Sequence, residues 1–104
     1  MAVVAVGNES DVAPERPLRV VVKGVPIAIF TANDELYAIG DTCTHEEFSL
    51  SDGDMVDAYT VECPLHGAQF DIRTGAALCL PATESAGSYP VWSEDGVLKL
   101  EMPD

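Results

Sequence analysis

Apolar positions along this chain come in short bursts, and no stretch holds an apolar period of 3.6 residues, so helices are not expected to build the core. Alternating or continuous Val-rich bursts fall at Ala2–Val6, Leu18–Val22, Val25–Phe30 and Glu35–Ile39. Others follow at Tyr59–Val61, Gln69–Ile72, Ala76–Leu80, Tyr89–Trp92 and Val97–Glu101. Each is the length of a strand and is bounded by turn residues. Asn33-Asp34 is a plausible hairpin turn, and Glu94-Asp95-Gly96 closes a second hairpin with Asp-Gly chemistry suited to positive φ. The polar stretch Asn8–Pro17 reads as a loop with room for one helical turn. Ser49–Gly53 reads as a short polar link and Pro81–Gly87 as an irregular connection. Short strands at this spacing predict an all-β fold, an antiparallel sandwich or barrel.

A length of 104 residues sets the scale at one domain. With 47% hydrophobic and 22% charged residues the chain has the composition of a globular protein. No apolar run is long enough to cross a bilayer as a helix. Met1–Val6 lacks the basic flank and the length of an export signal, which leads to an expectation of a cytoplasmic protein.

The charge is lopsided, with 18 acidic residues against 5 basic ones and a net charge of −13. Nucleic acids and anionic membrane surfaces select for Lys and Arg, so neither is an expected partner. Asp41, Glu46, Glu47, Asp52, Asp54, Asp57 and Glu62 form one run with no basic residue among them. Such a run serves either as a solvated face or as a field that steers the protein to basic partner surfaces and weakens with salt.

The chemistry is concentrated at that run. Cys43-Thr44-His45 is followed, after seventeen intervening residues, by Cys63-Pro64-Leu65-His66-Gly67, and His45 and His66 are the only two histidines in the chain. Each half offers one sulfur and one nitrogen donor. A Cys₂His₂ set serves tetrahedral zinc, or a two-iron cluster with both sulfurs on one iron and both nitrogens on the other. Zinc fingers usually draw the Cys pair from one turn and the His pair from one helix, whereas here each loop supplies one of each, which favours iron. The third cysteine, Cys79, lies in the apolar run Ala76–Leu80 and reads as a small buried hydrophobe.

The double motif, with Phe70-Asp71, Thr74-Gly75 and the Pro81 segment beyond it, strongly resembles the Rieske family from about Leu18 to the C-terminus. The resemblance implies the Rieske, or ISP-like, fold: a larger antiparallel base carrying a small cluster-binding subdomain at about 41–80, within a single domain spanning 1–104. It implies one [2Fe–2S] cluster, with Cys43 and Cys63 on an inner iron and His45 and His66 on an outer one. Neutral imidazoles make the outer iron the one reduced, which places Rieske potentials at roughly −150 to +300 mV against about −400 mV for all-cysteine plant-type clusters. In high-potential relatives a serine follows the His-Gly pair and a tyrosine lies two residues further on, each bonding to cluster sulfur. Ala68 and Phe70 occupy those positions here, so a potential in the lower part of the range is expected. A disulfide found in some relatives would need cysteines where this chain has Phe48 and Leu65.

By resemblance the chain is the ferredoxin component of a bacterial ring-hydroxylating dioxygenase system, an electron carrier and not an enzyme. It would be a monomer that takes electrons from an NAD(P)H-dependent flavin ferredoxin reductase and delivers them to a terminal oxygenase. It has no dinucleotide fingerprint, and both histidines are already committed to the cluster. The small Rieske subunit of another oxidoreductase and a zinc-stabilised interaction module are the alternatives. Tyr89 and Trp92 are expected as core residues.

Overall fold

The computed structural model describes residues 2–14, 16–42, 49–63, 67–78 and 85–102. Among them the chain forms three antiparallel sheets, as the alternating pattern predicts. Strands β1 (Ala2–Asn8), β2 (Leu18–Val22), β3 (Val25–Ala32) and β4 (Glu35–Gly40) precede the first motif. Then come β5 (Asp54–Asp57), β6 (Thr60–Glu62) and β7 (Gln69–Asp71), followed by β8 (Ser88–Tyr89), β9 (Val91–Glu94) and β10 (Val97–Met102). The sheet orders are β1-β10-β9, β2-β3-β4-β8 and β5-β6-β7. Tight turns link the hairpins, with Asn33 and Asp34 at φ 52° and 64° and Asp95 and Gly96 at 53° and 80°, so the short polar residues sit where positive φ is needed.

β3 is the middle of the molecule because both of its faces are covered. Ile27 and Ile29 pack with Val22, Ala38, Leu98, Leu100 and Met102 in one core, which closes the base. Ala28, Phe30 and Ala32 point the other way, into a second core with Ile39, Leu50, Val61, Cys63, Phe70 and Ile72. A period of two thus sends alternate side chains of one strand to two different cores. The second core seats the sheet β5-β6-β7 on the base.

Several expectations need correction. The burst Tyr89–Trp92 is two strands, because Pro90 has no N–H to give to a ladder and the chain changes sheets there: β8 pairs with β4 and β9 with β10. Tyr89 packs on the base core, but Trp92 belongs to neither core and lines a surface cleft. Ala76–Leu80 is not a strand over its described part; it makes one bridge, Ala77 to Phe70. Its remaining residues, Cys79 among them, lie outside the described residues. The loop at Asn8–Pro17 does hold one 3₁₀ turn, Glu9–Asp11. The polar link Ser49–Gly53 holds another, Leu50–Asp52, whose Leu50 is completely buried. β5 had no counterpart among the predicted strands.

Candidate metal centre

The motif lies on two segments, and the described residues that flank each one form a closed hairpin mouth. The first spans 43–48 between Thr42 and Ser49, which form a bridge; the Leu50 amide donates to the Asp41 carbonyl at 2.6 Å just behind it. The second joins β6 to β7, where the Cys63 amide donates to the Ala68 carbonyl at 2.7 Å. One step further back, Glu62 and Gln69 face each other and the Gln69 amide donates to the Glu62 carboxylate at 2.9 Å. Gly67 has φ +73°, a conformation that favours glycine over any side chain carrying Cβ.

Of the four expected ligands, Cys63 is the one among the described residues. Cys43, His45 and His66 lie outside them, as do Glu46, Glu47, Phe48 and Leu65. Cys63 is fully buried and shares its core with Leu50, Ala68 and Phe70. Leu50 follows the first loop and Cys63 opens the second, so both loops are rooted in one apolar core. A cysteine in such a dry setting, at the mouth of a loop that also carries a histidine, fits the sulfur-held side of a [2Fe–2S] cluster. Ala68 and Phe70 are both fully buried beside it and bring no hydroxyl group.

The acidic run is less uniform than its sequence suggests. Asp52, Asp54 and Asp57 are exposed, but Glu62 is bonded to Gln69, and Asp41 is 1% exposed and paired with Arg19. Nothing in a single sequence marks Asp41 as different from its neighbours, because its partner is 22 residues away.

At the opposite end of β6 and β7 a polar and aromatic group ties the small sheet to the base. Arg73 forms two bonds to the Asp71 carboxylate, Nε to Oδ1 at 3.1 Å and a terminal amine to Oδ2 at 3.0 Å, and lies over the Tyr59 ring at 4.2 Å. Tyr59 meets Tyr37 of β4 edge to face, with centroids 6.0 Å apart, and its hydroxyl accepts a bond from the Asn33 amide. Hydrogen bonding from Arg73 holds the Asp71 carboxyl below its usual range and raises the Arg73 guanidinium. The backbone N–H of Tyr59, followed by the Thr60 hydroxyl, does the same for Asp57. The bond to Glu35 pushes the Tyr37 phenol up.

The three-sheet fold and the pair of hairpin mouths define an iron–sulfur domain of a known kind: residues 2–90 match the Rieske [2Fe-2S] domain, and the chain belongs to that family. It binds one Rieske-type [2Fe–2S] cluster, which decides between the two metal chemistries that the donor set left open. Within the family its likeness is to dioxygenase ferredoxins. It is 45% identical over 95 residues to the 3-phenylpropionate/cinnamic acid dioxygenase ferredoxin subunit of Shigella flexneri serotype 5b, covering 91% of this chain and 89% of the relative. Among solved structures, the ferredoxin of carbazole 1,9a-dioxygenase from Nocardioides aromaticivorans IC177 superposes with a TM-score of 0.88 at 30% identity, covering 96% of this chain and 97% of that one. A further match lies in a complex of reduced oxygenase and oxidised ferredoxin of carbazole 1,9a-dioxygenase, with a TM-score of 0.85, 35% identity and coverage of 94% and 91%. Among the described residues no helix is long and apolar enough to cross a membrane.

Proposed function

We propose that Cys43, His45, Cys63 and His66 are the cluster ligands, and that through them the chain carries single electrons between a flavin reductase and a terminal oxygenase. The chain is the ferredoxin component of an aromatic-ring dioxygenase system and not its catalyst. The whole of 1–104 acts as one Rieske domain, with 41–80 as the part that holds the cluster. The observation that carries the ligand assignment is Cys63: a fully buried thiol at a hairpin mouth, in the same core as Leu50, which follows the other motif segment.

When bound, the cluster supplies a one-electron acceptor and donor. The residues around it do the rest. Leu50, Ala68 and Phe70 exclude water from the sulfur side, and the hairpin mouths at Thr42–Ser49 and Cys63–Ala68 hold the loops in register. Exposed Asp52, Asp54 and Asp57 add negative potential that would draw in basic partner surfaces, at a rate that falls with ionic strength. With no side-chain hydroxyl at 68 or 70 to bond to sulfur, the reduced state is less favoured and the potential lies low in the family range.

Potentiometry on the purified protein tests both ligands and potential. The midpoint at neutral pH is expected below zero, and H66C is expected to keep a cluster while shifting the midpoint down by on the order of hundreds of millivolts, towards all-cysteine values. A clearly positive midpoint overturns the low-potential reading. An unchanged midpoint in H66C removes His66 from the ligand set.

A further inference from the structure

Asp41 has every polar group committed, and each commitment bears on the first ligand loop. Its amide donates to the Pro26 carbonyl at 3.0 Å, which fastens the chain to the start of β3. Its carbonyl accepts from Leu50 at 2.6 Å. Its carboxylate reaches across the mouth of the loop, with Oδ1 accepting the Ser51 amide at 2.9 Å and Oδ2 accepting Arg19 Nε of β2, also at 2.9 Å. The Asp41 side chain is 1% exposed while Arg19 is 48% exposed, so a buried charge is balanced by one that reaches solvent.

A surface aspartate would not be built this way. Burying a carboxylate is costly unless it is paired and hydrogen-bonded, and here both oxygens are used. An asparagine would satisfy the Ser51 amide equally well, so closing the loop does not by itself call for a negative charge. Cys43 is two residues further along the chain, and at that range a charge shielded from solvent acts on the cluster far more strongly than one on the wet surface.

We propose that Asp41 is a positioning residue for the cluster, and that the Asp41–Arg19 pair also sets the cluster's potential. The carboxylate holds the two ends of the first ligand loop together and docks them on the base. Its charge opposes the arrival of an electron, and Arg19 offsets that opposition. The proposal rests on the reading of Cys43 as a ligand.

The two roles separate in D41N and R19M, each purified with its cluster and measured by potentiometry and by the rate of bleaching in an iron chelator. D41N removes a negative charge and is expected to raise the midpoint. R19M removes the compensating positive charge and is expected to lower it, with R19K restoring the original value. Both D41N and R19M should bleach several-fold faster than the parent. Shifts of the same sign in D41N and R19M, or no shift in either, overturn the proposal, because loosening the loop alone would move both alike. If D41N retains no cluster, R19M decides: a lowered midpoint restored by R19K supports the proposal, and an unchanged or raised one overturns it. Failure of the ligand reading looks different, since C43S would then keep the Rieske electron paramagnetic resonance signal of the reduced protein.

Discussion

The two cores that flank β3 are built on different terms. The base core takes Ile27, Ile29, Val22, Leu98, Leu100 and Met102 from strands of five to eight residues joined by regular ladders. The cluster-side core rests on β5, β6 and β7, which have only three or four residues each, and fills its space with Phe30 and Phe70 among Ala28, Ala32, Ala68 and Cys63. Strands that short carry too few ladder bonds to persist without a packed face. The base can therefore hold itself, whereas the small sheet borrows a face of the central sheet and, with the ligand set proposed above, would gain from metal binding, which couples to folding wherever the site is not preformed in the unfolded chain. On that proposal one half supplies stability and the other spends it on chemistry.

The most direct way to break that contrast is to cut one large side chain from each core. F70A should cost about 3–5 kcal/mol and L98A about 2–5 kcal/mol, since both side chains are fully buried. The contrast lies in what else changes. F70A should also release the cluster or shift its midpoint, because Phe70 shares its core with Cys63 and pairs across the ladder with Val61. L98A should leave the midpoint and the visible spectrum as they were. Urea unfolding followed by fluorescence, with potentiometry alongside, checks both. If L98A disturbs the cluster as much as F70A does, the two cores are one cooperative unit and the division fails.

F70Y sharpens the same comparison with a smaller change. A hydroxyl at this buried position costs about 1–3 kcal/mol if it finds no partner. A donor that reaches cluster sulfur instead favours the reduced state, so the midpoint should rise while urea resistance holds. A loss of stability with no rise in midpoint would mean that the ring edge at 70 faces packing and not the cluster.

How much of this was legible follows the same divide. Strands of the base announce themselves because one or both faces are buried over five or more residues, as in Leu18–Val22 and Val97–Met102. The short strands do not. β5 carries aspartates at both ends and only Met55 packs on the core, so its four residues show no apolar run. Leu50 is a single apolar residue in a polar link, yet it is fully buried. Ala76–Leu80 looks like a strand by composition but makes a lone bridge over its described part, because its neighbour β7 is only three residues long. Cys63 stands out in the sequence for another reason: the ligand role proposed for it would restrict residue type and spacing in sequence, whereas burial and long-range pairing, as at Asp41 and Arg19, are set only when the sheets meet.

The smallest effect is expected where the two halves are tied at the end away from the ligand loops. Asp71 is held below the usual carboxylate range first by the side-chain bond from Arg73, with the Arg73 backbone amide adding at 2.8 Å. A carboxyl depressed in the folded state stabilises it at pH values above the unfolded value of about 4, and that contribution disappears as pH falls through the folded value. Arg73 is half exposed, so solvent screens much of the pairing and the gain is modest. D71N should therefore lower the urea midpoint slightly at pH 7 and leave the redox midpoint unchanged, since the change lies at the far end of β7 from Gly67. As the pH is lowered below about 4 the gap between D71N and the parent should close, because the parent loses what the variant already lacks. A gap that stays constant from pH 7 down to about pH 3 would show that Asp71 acts by packing and turn geometry, with no share from its charge.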